Sequence, residues 1–190
     1  MKTLNRKVKI PYYLQELHGE EAMISDLVLT YYAALAVTSL VIFQVWNIPV
    51  SILKIIVLCL LTFDLSGGVV ANFSHATSIY YAAHAARRRV FAVFHIVQPL
   101  VIIWIFPAEW ICIGVIASYS IISMIIVGSI RENTKRRVPA AVLVLIGLSM
   151  VFLLPFQRKV LLFILLLYII KLVLAFPVDW AEKQRTDNVY

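Results

Sequence analysis

From residue 26 onward the chain alternates between long apolar runs and short polar breaks. The runs cover roughly 26–46, 50–72, 88–106, 109–128, 138–154 and 159–176. Each is near the length, roughly 20 residues, at which a helix crosses about 30 Å of hydrocarbon. The pattern predicts an all-α fold, a polytopic transmembrane helical bundle of six spans. Proline punctuates it: Pro49, Pro107, Pro139, Pro155 and Pro177 fall at the ends of runs, where a missing backbone donor costs least. Residues 1–23 contain no such run, and Glu16, Glu20 and Glu21 interrupt them, which argues against a cleaved signal. Tyr12, Tyr13, Leu14 and Leu17 beside Lys7 and Lys9 predict instead a short helix on the membrane surface. The chain therefore divides into an interfacial segment (1–23), a six-helix transmembrane domain (24–178) and a cytoplasmic tail (179–190).

Composition agrees with this reading. Of 190 residues, 62% are hydrophobic and the mean hydropathy is +0.91, well beyond a soluble domain, in which about half the residues are apolar. The formal charge of +7 does not point to nucleic acid, because the basic residues lie in short clusters between the runs. Such clusters orient a membrane protein and meet anionic headgroups. Lys2, Arg6, Lys7 and Lys9, then Arg87, Arg88 and Arg89, then Arg131, Lys135, Arg136 and Arg137, and finally Lys183 and Arg185 fall on one side. Lys54, Arg158 and Lys159 fall on the other. Both termini are thus expected in the cytoplasm, with the bundle in the inner membrane, Trp46 and Trp110 near the outer boundary and Trp180 near the inner one. Cys59 and Cys112 have neither metal nor disulfide spacing. The chain also lacks an HExxH motif, a Walker loop and a dinucleotide fingerprint, so neither a metal nor a cofactor is expected.

The polar residues inside the runs concentrate between Asp64 and Pro99. Asp64 lies roughly 12 Å of helix rise from Asn72 at the inner end of the second run. The third run brings His95 and Gln98, and the sixth brings Lys171, to the same half of the membrane. An ionisable group at that depth needs a partner, and for Asp64 either Lys171 or His95 fits. The bland alternative is a buried pair that only sets helix register. Asp64, Gly68, Ala71 and His75 share one helical face if the second helix continues that far, and His84, Arg88, Phe91 and His95 share another if the third begins before 84. Gly67 and Gly68 allow either close helix approach or exposed backbone. Pro99 cannot donate to the carbonyl of His95. The candidate site is therefore Asp64, Gly67, Gly68, Asn72, His95, Gln98 and Lys171, with Arg87, Arg88 and Arg89 as headgroup or phosphate contacts.

The string from Asp64 to Asn72, DLSGGVVAN, locally resembles the start of the CDP-alcohol phosphatidyltransferase motif, with Asp64, Gly68 and Ala71 in place. Gly67 stands where that family has a second Asp and Asn72 where it has Arg. No later Asp pair follows in residues 73–98, so the resemblance does not carry over that family's metal chemistry. Residues 64–99 as a whole resemble a group of uncharacterised bacterial six-span membrane proteins, which implies an architecture and no activity. The function expected is a cytoplasm-facing intramembrane polar site that binds or transports a small polar solute, proton or lipid headgroup, in a homo-oligomer or larger membrane complex. The alternatives are an enzyme acting on a phospholipid or other lipid, with Asp64 and His95 as acid and base, and a non-catalytic scaffold.

Overall fold

The computed structural model describes residues 6–46, 48–178 and 180, without the side chains at 82, 85–89, 91 and 92. The tail proposed for 179–190 falls outside the described residues except for Trp180, and so do the side chains of Arg87, Arg88 and Arg89.

Among the described residues the architecture is helical apart from one small hairpin. Strand β1 (Lys7–Lys9) leads through a 3-10 turn (Tyr12–Leu14) and the short helix α1 (Gln15–His18) to β2 (Glu21–Met23). The long helices follow: α2 (Ile24–Val45), α3 (Ile52–Phe73), the short α4 (His75–Ala83), α5 (Ala85–Ile105), α6 (Trp110–Ser129), α7 (Arg137–Leu153) and α8 (Lys159–Ile169), the last continuing as a π-helical segment over Ile170–Ala175. Among the described residues four segments are long and apolar enough to cross a membrane: α2, α3, Pro107–Ser129 and Asn133–Leu153. Among the described residues of α5 the apolar stretch Val93–Ile105 is shorter than these four.

The last helix is the centre of the packing. Leu161, Ile164, Leu165, Ile169, Leu172 and Val173 are fully buried, as expected of a helix apolar on every side. Around it the bundle is apolar outward as well: Leu35 and Phe43 on α2, Leu60 on α3, Leu100 on α5, Ile125 on α6 and Leu145 on α7 are all exposed. Water would not tolerate that surface and a bilayer requires it. This is an integral membrane protein.

Residues 6–23 do not form the surface helix that their composition suggests. β1 and β2 pair antiparallel, with Lys7 opposite Met23, Val8 opposite Ala22 and Lys9 opposite Glu21. Tyr12 and Tyr13 stay exposed while Ile10, His18 and Ala22 are buried. The helical surface pattern loses to docking on α4: Thr77 Oγ1 donates to the Leu17 carbonyl at 2.9 Å and Tyr81 Oη to the Glu16 carbonyl at 2.7 Å. Gly19 closes α1 at φ 75°, and a Cβ there would lie 2.5 Å from the Ala76 carbonyl oxygen. Only glycine meets both demands.

His18, 3.0 Å from Tyr31 Oη, is held below its ordinary pKa by burial. Its unfolded form binds the proton more readily, so the docked segment keeps its full stability above about pH 6.5 and loses it as the pH falls towards the depressed value. Amide protection factors over residues 7–23, which correct for the intrinsic pH dependence of exchange, are expected to fall between pH 7 and 5, and His18→Gln to remove that fall.

Two expected helical registers are broken. The helix of Asp64 ends at Phe73, because Ser74 turns extended and its hydroxyl caps the next helix by accepting from Thr77 N at 3.3 Å. His75 is thus the first residue of α4 and does not share the face of Asp64. His84 leaves helical geometry at φ −121°, ψ 64° between α4 and α5, so no continuous helix aligns it with His95.

Candidate functional site

The site forms where α3, α5 and the π segment meet. Lys171 Nζ donates to Asp64 Oδ2 at 2.7 Å and to the Asp64 backbone carbonyl at 3.0 Å. Gln98 Nε2 donates to the same Oδ2 at 2.7 Å. Of the two partners open to Asp64 in the sequence, the lysine is the one it takes. The two ends of the pair differ sharply in environment: the Lys171 side chain is 0% exposed and that of Asp64 45%. Oδ2 is occupied twice, whereas Asp64 Oδ1 has no partner among the described residues.

Gly68 makes this geometry feasible. A Cβ at that position would fall 2.6 Å from Lys171 Cε and 2.7 Å from Nζ, so the absent side chain is the seat of the ammonium. Gly67 serves a different neighbour. Its missing Cβ faces Ala34 Cβ at 3.3 Å and Thr30, letting α2 and α3 approach closely. The adjacent glycines, which the sequence leaves as one feature, thus have two separate uses.

The carbonyl that Pro99 leaves without its helical donor is satisfied from the central helix: Tyr168 Oη donates to His95 O at 2.9 Å, and Tyr168 is fully buried. Tyr168 is absent from the sequence candidates. A signal exists, since it precedes Lys171 by three residues and shares its helical face. Tyr168→Phe is expected to cost about 1–3 kcal/mol by stranding a buried acceptor. In a Pro99→Ala background the cost should fall, because residue 99 can then donate. Equilibrium unfolding of the four proteins checks this.

Other candidates lie elsewhere. The His95 ring is buried and stacks on Phe176 at 5.9 Å, with no hydrogen bond to Asp64. Asn72 is buried and borders a small crevice with Ser78, Tyr81 and Phe176. Both belong to the end of the bundle where Trp180 N donates to Ser78 Oγ at 3.1 Å. At that end Arg136, read from the sequence as part of a surface cluster, ties three chain segments together. It donates to the carbonyls of Ile130 (2.8 Å), Pro177 (3.0 Å) and Gly128 (3.3 Å), collecting the orphan carbonyls where α6 ends. The opposite end holds Lys54 on the Ile105 carbonyl at 3.4 Å and Gln157 N donating to Glu109 Oε2 at 3.2 Å.

The π segment has no sequence signature. It places Phe176 N on the Lys171 carbonyl at 2.9 Å, five residues back, at the residue carrying the buried charge. Single π turns of this kind recur at functional positions.

The chain matches no protein-family model, no curated protein and no solved structure.

Proposed function

We propose that the chain is a six-span protein of the cytoplasmic membrane with both termini inside, and that Asp64 is the charge-bearing group of an intramembrane site for a small polar solute, proton or lipid headgroup. The observation that carries this is the asymmetry of the Asp64 carboxylate. One oxygen is committed to Lys171 and Gln98, while the residue remains 45% exposed with its other oxygen unengaged among the described residues. A carboxylate serving only as a strut is best stabilised with both oxygens occupied and no access; this one is held in place and left open on one side. Gln98 orients it and Lys171 sets its charge balance, with Gly68 giving the ammonium room. His95 and Asn72 belong to the inner rim of the same half of the bundle.

The orientation rests on charge. Arg131, Lys135, Arg136 and Arg137 lie at the end that also carries residues 6–23 and Trp180, and the excess of basic residues there favours the cytoplasm. Cysteines introduced singly at residues 20, 132 and 157 test it: labelling of the first two from the inside only, and of the third from the outside only, is expected.

A second reading has its own observation. Lys171 is wholly buried and also holds the Asp64 backbone, as a pure helix lock would. Thermal unfolding of the purified protein and of Asp64→Asn across pH 5 to 9, with a panel of lipids and metabolites, separates the two. Stabilisation of the wild type but not of an equally folded variant supports a binding site. If nothing stabilises either protein and the variant simply melts lower, the lock reading takes its place.

A further inference from the structure

A second site is built outside the membrane-spanning core. Between the N-terminal hairpin and α4 lies a cavity of about 380 Å³, within the range of roughly 300–1,000 Å³ typical of small-molecule sites. One wall carries Lys7, Glu20, Glu21 and Asp26; the other is the α4 face from His75 to Ala83, with His84 just beyond its end. That helix is anchored from its opposite face by Thr77 on the Leu17 carbonyl, Tyr81 on the Glu16 carbonyl and Ser78 accepting from Trp180 N. The wall is therefore held rigidly in place before any ligand arrives.

The charges in this cavity are of both signs and do not satisfy one another. Among the described residues no ion pair joins Lys7 to Glu20, Glu21 or Asp26. Three carboxylates and one ammonium thus border a common space without pairing across it. Lys7, Glu20 and Glu21 are exposed, and exposed charges gain little by pairing with one another, so these groups remain available to a ligand that presents both signs.

We propose that this cavity binds a zwitterion bearing a primary ammonium and a phosphate. The ammonium donates its N–H groups to Glu20, Glu21 and Asp26, and the phosphate meets Lys7 with His75 and His84. A primary ammonium fits better than a quaternary one. The latter is recognised by a cage of aromatic faces, and Tyr80 is the one benzenoid ring among the described residues of this lining, which also carries three carboxylates. The cavity lies beside the first turn of α2, where Asp26 stands, at the end of the bundle that the proposed orientation assigns to the cytoplasmic leaflet. The same chemistry is offered by an aminophospholipid headgroup and by a soluble phosphorylated amine.

The test uses the purified full-length protein in lipid-free detergent with O-phosphoethanolamine or O-phosphocholine, and in nanodiscs of phosphatidylethanolamine or phosphatidylcholine, reading binding or thermal shift. The expected result is a preference of about tenfold or more for the ethanolamine compound of a pair, lost in Glu21→Gln/Asp26→Asn. Binding of the soluble probe in detergent identifies a soluble ligand; a preference seen only in nanodiscs identifies the lipid. Equal affinity for the choline compounds, full retention of binding by the double variant, or no response to any of the four overturns the proposal. The comparison of headgroups needs no variant, so a folding defect in the double variant leaves it decisive.

Discussion

Asp64→Leu is expected to destabilise the protein by about 3–5 kcal/mol, the usual cost of leaving a buried charge without its partner. Lys171 would lose its carboxylate partner while still holding the residue-64 backbone carbonyl, at a position with no exposed surface. The reciprocal change, Lys171→Met, should cost less. Asp64 retains Gln98 and its side chain is half open, so its charge is less completely buried than that of Lys171. The double variant Asp64→Leu/Lys171→Met is expected to be more stable than Asp64→Leu alone, because removing both charges removes the penalty of each. A double-mutant cycle by denaturant unfolding in micelles checks all three statements. Equal costs for the two single changes would show that the difference in burial has no energetic consequence. If the double variant is as stable as wild type yet no longer responds to a ligand that stabilises the wild type, structure and binding at this pair are separated.

The second large effect concerns the neighbouring glycines, where the same substitution should have unequal consequences. Gly68→Ala places a methyl 2.6 Å from Lys171 Cε and 2.7 Å from Nζ. A lysine tip usually yields, but this one is held by Asp64 and enclosed on all sides. Moving it breaks the pair, so the loss should approach that of Asp64→Leu, about 3 kcal/mol or more. Gly67→Ala places its methyl 3.3 Å from Ala34 Cβ. Overpacking of about 1–3 kcal/mol there is offset by roughly 1 kcal/mol gained in helix propensity. The melting temperature of Gly68→Ala is therefore expected to drop well below that of Gly67→Ala. Similar melting temperatures would mean that Lys171 has another place to go.

Several features of the site are legible in the order of residues alone. Asp64 and Lys171 stand out as charges within apolar runs, and the cost of burying them unpaired demands that each find a partner. Pro99 likewise announces a carbonyl of His95 in need of a donor. The donor itself is less visible: Tyr168 reads as one more large residue in an apolar run until the central helix is seen to face α5. The choice of Lys171 over His95 is also open in the sequence, because helical rise gives depth in the membrane and says little about rotation around each helix axis.

The N-terminal segment shows the opposite case. Tyrosines, leucines and lysines within residues 7–17 satisfy the composition of a surface helix, and nothing local excludes it. The alternative depends on Gly19 and on partners more than fifty residues away, Thr77 and Tyr81, whose hydroxyls carry no local sign of that role. The breaks at Ser74 and His84 escape a periodicity reading for a related reason. A periodic face can be continued on paper across a residue that, in the fold, turns the chain towards a contact.

The sequence by itself determined that this protein lives in a membrane, that its structure is helical, and that a small set of ionisable and amide groups must be brought together in its interior. Those conclusions follow from transfer free energies and backbone hydrogen bonding, which act on every residue wherever it ends up. Only the tertiary structure decided that the last helix is the core, that Gly68 seats Lys171 while Gly67 seats α2, that Arg136 closes one end, and that the N-terminal hairpin and α4 enclose a charged cavity. Each of these depends on which helix faces which, and that is settled by the packing of side chains distant in sequence.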